Sequence, residues 1–328
     1  MVESLEETLR SQHNLDMLCS DRPLYTSEIA KVNDYYGFSS IIKKYAGLSI
    51  LYPLKILVQH GIVFSDDFVF DYEKDSYMPS IFCYPPYREQ AFKKNLSQKI
   101  IPSASPFIYL LEMIKTKKEV DRKGTIFFPK HSTTHVTIDM DYVGLAKKLK
   151  KLGDEYQPVT VCMYWKDYNL GYHIPFKENG LKIVSAGHKH DPCFLYRFYN
   201  LCSIHKYSSS NALGSHLFYS IKSGCTYFYL DGFGYKSIGK KEHIERFTPK
   251  LFSPGTDRQN SLISIFKYPQ HQTSLKQMKL VDYYLGTKHL KSPQLLLNEI
   301  NESEYLFYGA CIHYIKTSIN KILEKFSR

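Results

Sequence analysis

The stretch Lys206-Tyr207-Ser208-Ser209-Ser210-Asn211-Ala212-Leu213-Gly214-Ser215-His216-Leu217-Phe218-Tyr219-Ser220-Ile221-Lys222-Ser223-Gly224 decides how the surrounding chain is read. Ser208, Ser209, Ser210 and Asn211 are residue types that cap helix N-termini. Leu213, Leu217 and Ile221 then recur every four residues, with Gly214 and Phe218 beside them, as on the buried stripe of a helix. Gly224 stands where a helix-ending glycine belongs, and Tyr227-Phe228-Tyr229-Leu230 reads as a following strand. The pattern predicts a hydroxyl-rich turn that opens a helix. Such a turn offers free backbone N–H groups, hydroxyl donors and the positive end of the helix dipole, which suits a phosphate. The plainer reading is an ordinary capped helix.

Working outward, three predicted strands upstream each end in a polar loop. Thr125-Ile126-Phe127-Phe128-Pro129 runs into Lys130-His131-Ser132-Thr133-Thr134-His135. A strand over 159–164 ends in Trp165-Lys166-Asp167, and one over 181–186 ends in Gly187-His188-Lys189-His190-Asp191-Pro192. Helices are expected over 139–152, 172–179 and 194–204. The first half repeats the pattern, with helices over 1–20 and 34–45 and a strand over 53–59 that stops at His60-Gly61. An acidic loop with Asp66, Asp67, Asp71, Glu73 and Asp75 follows. Beyond it come a strand over 80–84, a helix from Pro85-Pro86 to about 95, a strand over 99–102 and a helix over 103–117. The charged segment 116–124 reads as a linker. Alternation of this kind implies an α/β fold of mainly parallel sheets with helices on both faces. Ligands bind such sheets at the strands' carboxyl edge, where these polar loops converge.

Composition narrows the function classes. A chain of 328 residues suits two domains of ordinary size. Its 28 Tyr and 20 Phe supply buried volume that a 43% hydrophobic content would otherwise leave thin. Seven scattered cysteines, none spaced as C-x-x-C, read as reduced thiols rather than a disulfide framework or zinc site. The acidic start (Glu3, Glu6, Glu7) has no signal-peptide pattern, and no apolar run reaches spanning length. The expectation is a cytoplasmic protein, with peripheral contact to an anionic membrane open to it. A net charge of +11 favours anionic partners, but no zinc-finger spacing, basic heptad region or RNA-binding aromatic motif points to nucleic acid.

The order of strand–helix repeats, charged linker, second repeats and Ser-rich turn resembles the bacterial GT-B glycosyltransferases of surface-polysaccharide synthesis. The His60-Gly61 and Tyr207-Ser208-Ser209 pieces are similar to the His-Gly and Ser-Ser signatures of two CMP-releasing groups: the sialyltransferases and β-Kdo transferases, and the CDP-glycerol glycerophosphotransferases. The resemblance implies two Rossmann-like domains facing across a cleft. Residues 1–118 would form the acceptor side and 119–272 the nucleotide-sugar side, with helices in 273–328 crossing back to the first domain. It implies that Ser208 and Ser209 bind the CMP phosphate and that His188 or His190 takes the place of a His-Pro motif, here His190-Asp191-Pro192.

The chemistry can also be stated from the residues. Glycosyl transfer must neutralise the departing phosphate and deprotonate an acceptor hydroxyl. Lys130, His131 and Ser132, the loop Gly187, His188 and His190, and the 208–211 turn (Ser208, Ser209, Ser210, Asn211) are the expected phosphate and nucleotide groups. His60, Asp66 and Asp67 are the expected catalytic groups. No Asp-x-Asp ends a strand, and Asp139 and Asp141 point to different sides of an expected helix, so no metal and no cofactor are expected. The expected partners are a nucleotide-sugar donor, with a CMP-activated acidic sugar first, and a capsule or lipopolysaccharide acceptor. The alternatives are a CDP-alcohol phosphotransferase, a UDP- or GDP-sugar transferase of the same fold, or a non-catalytic binder of anionic polymers.

Overall fold

In the computed structural model, residues 3–65, 68–114, 121–245 and 254–326 are described. The chain is mixed α/β with parallel sheets. Strands β1 (Leu57–Val58), β2 (Ser80–Cys83) and β3 (Lys99–Pro102) form a three-stranded sheet in that order. Strands β4 (Thr125–Phe128), β6 (Val159–Cys162), β7 (Lys182–Val184), β8 (Tyr207–Ser210) and β9 (Thr226–Tyr229) form a five-stranded sheet of order β7-β6-β4-β8-β9. Every pairing in these two sheets is parallel. A small antiparallel pair, β5 (Val136–Asp139) with β10 (Lys236–Gly239), stands apart.

The sheets follow from residue type. Ile126, Phe127 and Val161 have no exposed surface, as expected of parallel strands covered on both faces. Helices return the chain between strands. Pro86–Asn95 links β2 to β3, with Pro86 in its first turn, and Ser105 caps Pro106–Met113 by accepting from the Phe107 N–H. One continuous cluster of buried side chains joins the sheets, running from Ile56, Phe82 and Phe107 to Ile126, Phe198 and Leu217. Phe107 stacks on Tyr219 at 4.4 Å, so the two sheets share packing rather than merely a linker.

Several expectations change. Ser208, Ser209 and Ser210 do not form a turn but lie in β8, a central strand paired with β4 and β9. The helix begins only at Ser215. The 1–20 helix is two pieces, Leu5–Ser11 and Leu15–Cys19, and the 53–59 strand is reduced to Leu57–Val58. The 34–45 helix is broken at Tyr36, whose φ of 60° no continuous helix allows, and resumes as Phe38–Tyr45. Residues 136–139 pair as a strand, so the next helix starts at Tyr142, capped by Asp141 through the Gly144 N–H. The 172–179 helix is Ile174–Glu178, preceded by a separate turn of helix, Trp165–Asn169. Pro254–Phe266 is a further helix, and the last helix runs from Pro293 to Phe326. That helix packs on the first sheet: Ser303 Oγ donates to the Lys55 carbonyl at 2.7 Å, and Glu302 pairs with Lys99 at 2.7 Å. Residues 116–120 of the expected linker lie outside the described residues.

Candidate functional site

The strand order fixes where a site can form. From β4 the chain moves to β6 and β7 on one side and then to β8 and β9 on the other, so the loops after β4 and β8 part at a switch point. Asn211, just past β8, reaches across it, its Oδ1 accepting from the Lys130 N–H at 2.8 Å. The helix Ser215–Lys222 starts there after Gly214, which has no side chain to cap it. A Cβ at Gly214 would come within 2.9 Å of the His216 ring, so glycine lets this imidazole fold back over the helix start. His216 Nε2 lies 2.9 Å from Ser210 Oγ and 3.2 Å from the Ala212 carbonyl, which assigns the proton to Nε2. Burial lowers its pKa to about 3, so the ring is neutral at physiological pH.

The loop after β4 is held by Asp167, a carboxylate that sequence reasoning passed over. Both its oxygens accept from the Ser132 N–H, at 3.1 and 3.0 Å. Burial raises the Asp167 pKa, opposed chiefly by the neighbouring His131. His131 Nδ1 lies 2.8 Å from the Ser132 carbonyl, and its ring tilts against Tyr164 at 4.5 Å. Burial lowers the pKa of His131 and of Lys130. Lys130 stands 5.1 Å from the Tyr235 ring, and neither it, Lys166 nor Lys189 has a carboxylate within 4.0 Å among the described residues. Three lysines thus crowd the carboxyl edge with no carboxylate at ion-pair distance among the described residues, Lys166 Nζ donating to the Thr133 carbonyl and Lys189 Nζ to Thr134 Oγ1 at 3.0 Å. This is an arrangement that favours an anion.

The first sheet contributes from the opposite side. The Ile62 N–H, just past His60-Gly61, donates to Ser215 Oγ at 3.1 Å, so the β1 loop touches the start of that uncapped helix. His60 is flanked by Tyr35, Tyr36 and Phe38 at 5.7, 5.4 and 6.0 Å between ring centroids. Its Nδ1 is buried with no hydrogen-bond partner. Burial, helped by the Lys189 charge, lowers its pKa to about 4. Tyr35 stacks on His190 at 5.4 Å and lies 4.9 Å from Lys189 Nζ, which joins the β1 end to the β7 loop. Tyr36 completes the junction: its N–H donates to the Lys189 carbonyl at 2.7 Å and its hydroxyl lies 3.3 Å from that of Tyr164. A left-handed conformation at a bulky residue costs about 1–3 kcal/mol, and these contacts hold it.

The remaining expected groups divide clearly. Ser208 Oγ donates to Ser220 Oγ at 2.8 Å, Ser210 Oγ lies 2.7 Å from the Tyr227 hydroxyl, and Ser209 Oγ is buried without a partner. None of the three serines has exposed surface, so the serine pair cannot meet a phosphate in this conformation. Ser132 is likewise fully buried, its Oγ accepting from the Ile138 N–H at 3.0 Å. Gly187 adopts φ 95°, and a Cβ there would sit 2.8 Å from Arg197 Nη1, so it serves close packing. His188 has no exposed surface; its Nδ1 accepts from the His190 N–H at 3.0 Å and its Nε2 lies 3.2 Å from an Asp21 carboxylate oxygen. His190 stays half-buried, with Nδ1 2.9 Å from the Arg22 carbonyl. Asp66 and Asp67 lie outside the described residues. The structure therefore gathers His60, Lys130, His131, His190 and Asn211, adds Tyr35, Tyr36, Asp167, Lys189, Ser215 and His216, and sets the serines aside as core. Gly214-Ser215, immediately before the apolar stripe, was the available sequence signal for the true helix start.

No helix among the described residues is long and apolar enough to cross a membrane. No protein-family model matches this sequence and no curated protein matches it, so geometry alone carries the functional argument.

Proposed function

We propose that the protein is a glycosyltransferase of the GT-B kind, with two Rossmann-like units meeting at a nucleotide-sugar site. One observation supports this above the others. At the switch point of a parallel sheet, an uncapped helix start and a half-buried lysine with no carboxylate at ion-pair distance among the described residues are met from the other sheet by a neutral histidine. The free N–H groups of a first helical turn and the Lys130 ammonium suit a departing phosphate, because both act before any rearrangement is needed. His60, unprotonated at neutral pH, suits acceptance of a proton from an acceptor hydroxyl. A basic surface fits an acidic sugar donor, with CMP as its leaving group, and an acidic capsule or lipopolysaccharide acceptor. A CDP-alcohol phosphotransferase or a UDP- or GDP-sugar transferase would use the same phosphate groups. A non-catalytic polyanion binder would use the lysines and leave His60 idle.

The test is a thermal-shift series with CMP, CDP, UDP and GDP. A nucleotide at a hundred times its Kd stabilises the folded state by about 2.7 kcal/mol, which shifts Tm visibly. CMP or CDP is expected to give the largest shift, and transfer is expected to continue in EDTA. Absence of any nucleotide shift, with salt-sensitive polymer binding instead, would replace the enzyme reading with the polyanion binder.

A further inference from the structure

Trp165, the only tryptophan of the chain, stands just past β6 with its ring between His188 at 4.0 Å and Tyr164 at 5.9 Å. Its Nε1 is buried and has no hydrogen-bond partner among the described residues. The Tyr164 hydroxyl lies 3.3 Å from that of Tyr36, whose ring tilts against His60 at 5.4 Å. Burial raises the Tyr164 pKa, and the Tyr36 hydroxyl and the Trp165 N–H oppose it, so the indole N–H and both hydroxyls act on one spot. All three rings are half-buried, at the junction of the two sheets. Protons outnumber acceptors here. An indole N–H only donates, and of two tyrosine hydroxyls facing each other one donates and the other keeps its proton unspent. One N–H and one O–H are left over. Asp167, the carboxylate whose charge bears on Tyr164, is taken up by the Ser132 N–H.

We propose that this group is a carboxylate subsite, in which the Trp165 N–H and the unspent tyrosine proton each donate to one oxygen of a carboxylate on the ligand. A carboxylate brings two oxygens and no proton, and so matches two surplus donors. A sugar hydroxyl would bring a further proton to a place already short of acceptors. A phosphate is served instead by Lys130 and the helix start at Ser215. Lys189 supplies the charge: its Nζ lies 4.9 Å from the ring of Tyr35, and its carbonyl accepts from the Tyr36 N–H at 2.7 Å. Half-buried among aromatic rings, the ammonium acts on an anion there more strongly than it would in bulk water. This inference deepens the nucleotide-sugar reading and rests on it for the rest of the ligand. The carboxylate belongs either to the donor sugar or to the acceptor.

Because Trp165 is the sole tryptophan, its emission reports on the subsite directly. The full-length protein is titrated with glucuronate and with its neutral amide, glucuronamide, each with and without CMP, and calorimetry measures CMP against CMP-N-acetylneuraminate. Glucuronate is expected to bind about tenfold or more tighter than glucuronamide, and Tyr164→Phe to remove that preference. A CMP-N-acetylneuraminate affinity about tenfold above that of CMP, lost in Tyr164→Phe, puts the carboxylate on the donor. Absence of that advantage, with glucuronate binding beside CMP, puts it on the acceptor. Equal binding of glucuronate and glucuronamide would overturn the proposal, as would a preference that survives in Tyr164→Phe, or inorganic phosphate changing the emission as glucuronate does. CMP binding without any carboxylate preference sinks the subsite alone, whereas a glucuronate preference without CMP binding sinks the nucleotide reading alone. Should Tyr164→Phe misfold, Trp165→Phe followed by calorimetry carries the same expectation.

Discussion

The carboxyl ends of β2 and β3 and those of β1, β4 and β7 are equally polar and differ in how far their polar groups are satisfied. After β3, Ser103 Oγ lies 3.0 Å from the Tyr109 hydroxyl, and Ser105 Oγ lies 3.3 Å from that of Tyr219. After β2, the Tyr84 N–H donates to Gln59 Oε1 at 3.0 Å. Those groups close on one another and hold the two sheets together. At the other ends His60 Nδ1 has no partner, and Lys130 and Lys189 have no carboxylate within ion-pair distance among the described residues. Buried polar groups are normally paired, so the unpartnered Nδ1 of the half-buried His60 marks a ligand contact, whereas Ser209 Oγ, equally unpartnered, is closed off inside β8 with no exposed surface. Polarity alone did not separate these regions. Satisfaction did.

The sharpest way to break this contrast is His60→Ala. If the unpaired imidazole takes the acceptor proton, turnover should fall roughly a hundredfold while nucleotide affinity stays nearly constant. Steady-state rates beside a nucleotide titration check it, and an unchanged rate would put His60 with the structural groups. Next in size is Lys130→Ala, expected to weaken nucleotide binding about tenfold or more, since a hydrogen bond to a charged group contributes about 1.5–3 kcal/mol. Calorimetric titration with CMP measures this, and affinity equal to wild type would move the phosphate elsewhere.

A smaller effect follows from the neutral imidazoles. His60 and His188 titrate near 4 and His216 near 3 in the folded protein, below the ordinary 6.5, chiefly through burial. Between those values the unfolded chain binds more protons than the folded one, so stability rises with pH there. The contribution is complete above about 6.5 and is lost as pH falls towards 4 and 3. Glu73, whose burial raises its pKa to about 7, works in the opposite sense, its contribution being lost as pH rises from 4.5 through 7. The clean measurement is therefore the difference in Tm between wild type and His188→Asn from pH 7 to 4. A difference that does not change with pH would show that His188 is not held neutral. Smallest of all should be Ser209→Ala. Its hydroxyl is buried and unpaired, so removal should leave nucleotide affinity unchanged and stability equal or slightly higher. A tenfold loss of CMP affinity in a folded Ser209→Ala protein would restore the serine strand to the site.

Local chemistry made much of the framework legible. The apolar runs of β2, β4 and β6, the proline-led helix Pro86–Asn95 and the helix Phe194–Ser203 are written in short-range patterns, and alternation of strand and helix implies parallel sheets. The polar strand ends of β4 and β7 and the His60-Gly61 stop were also visible, because such residues are costly inside a core. Tyr207–Ser210 was not legible as a strand. Three successive serines prefer caps and turns, and only pairing on both sides, together with Ser220 and Tyr227 as hydrogen-bond partners, makes them part of a core strand. The same holds for Asp167, which becomes a brace only when folding brings the Ser132 N–H to its oxygens across 35 residues. Which histidine is open and which is closed is a matter of long-range packing: the sequence by itself determined that imidazoles, lysines and glycines stand at strand ends, and tertiary contacts decided which of their polar atoms were left without partners.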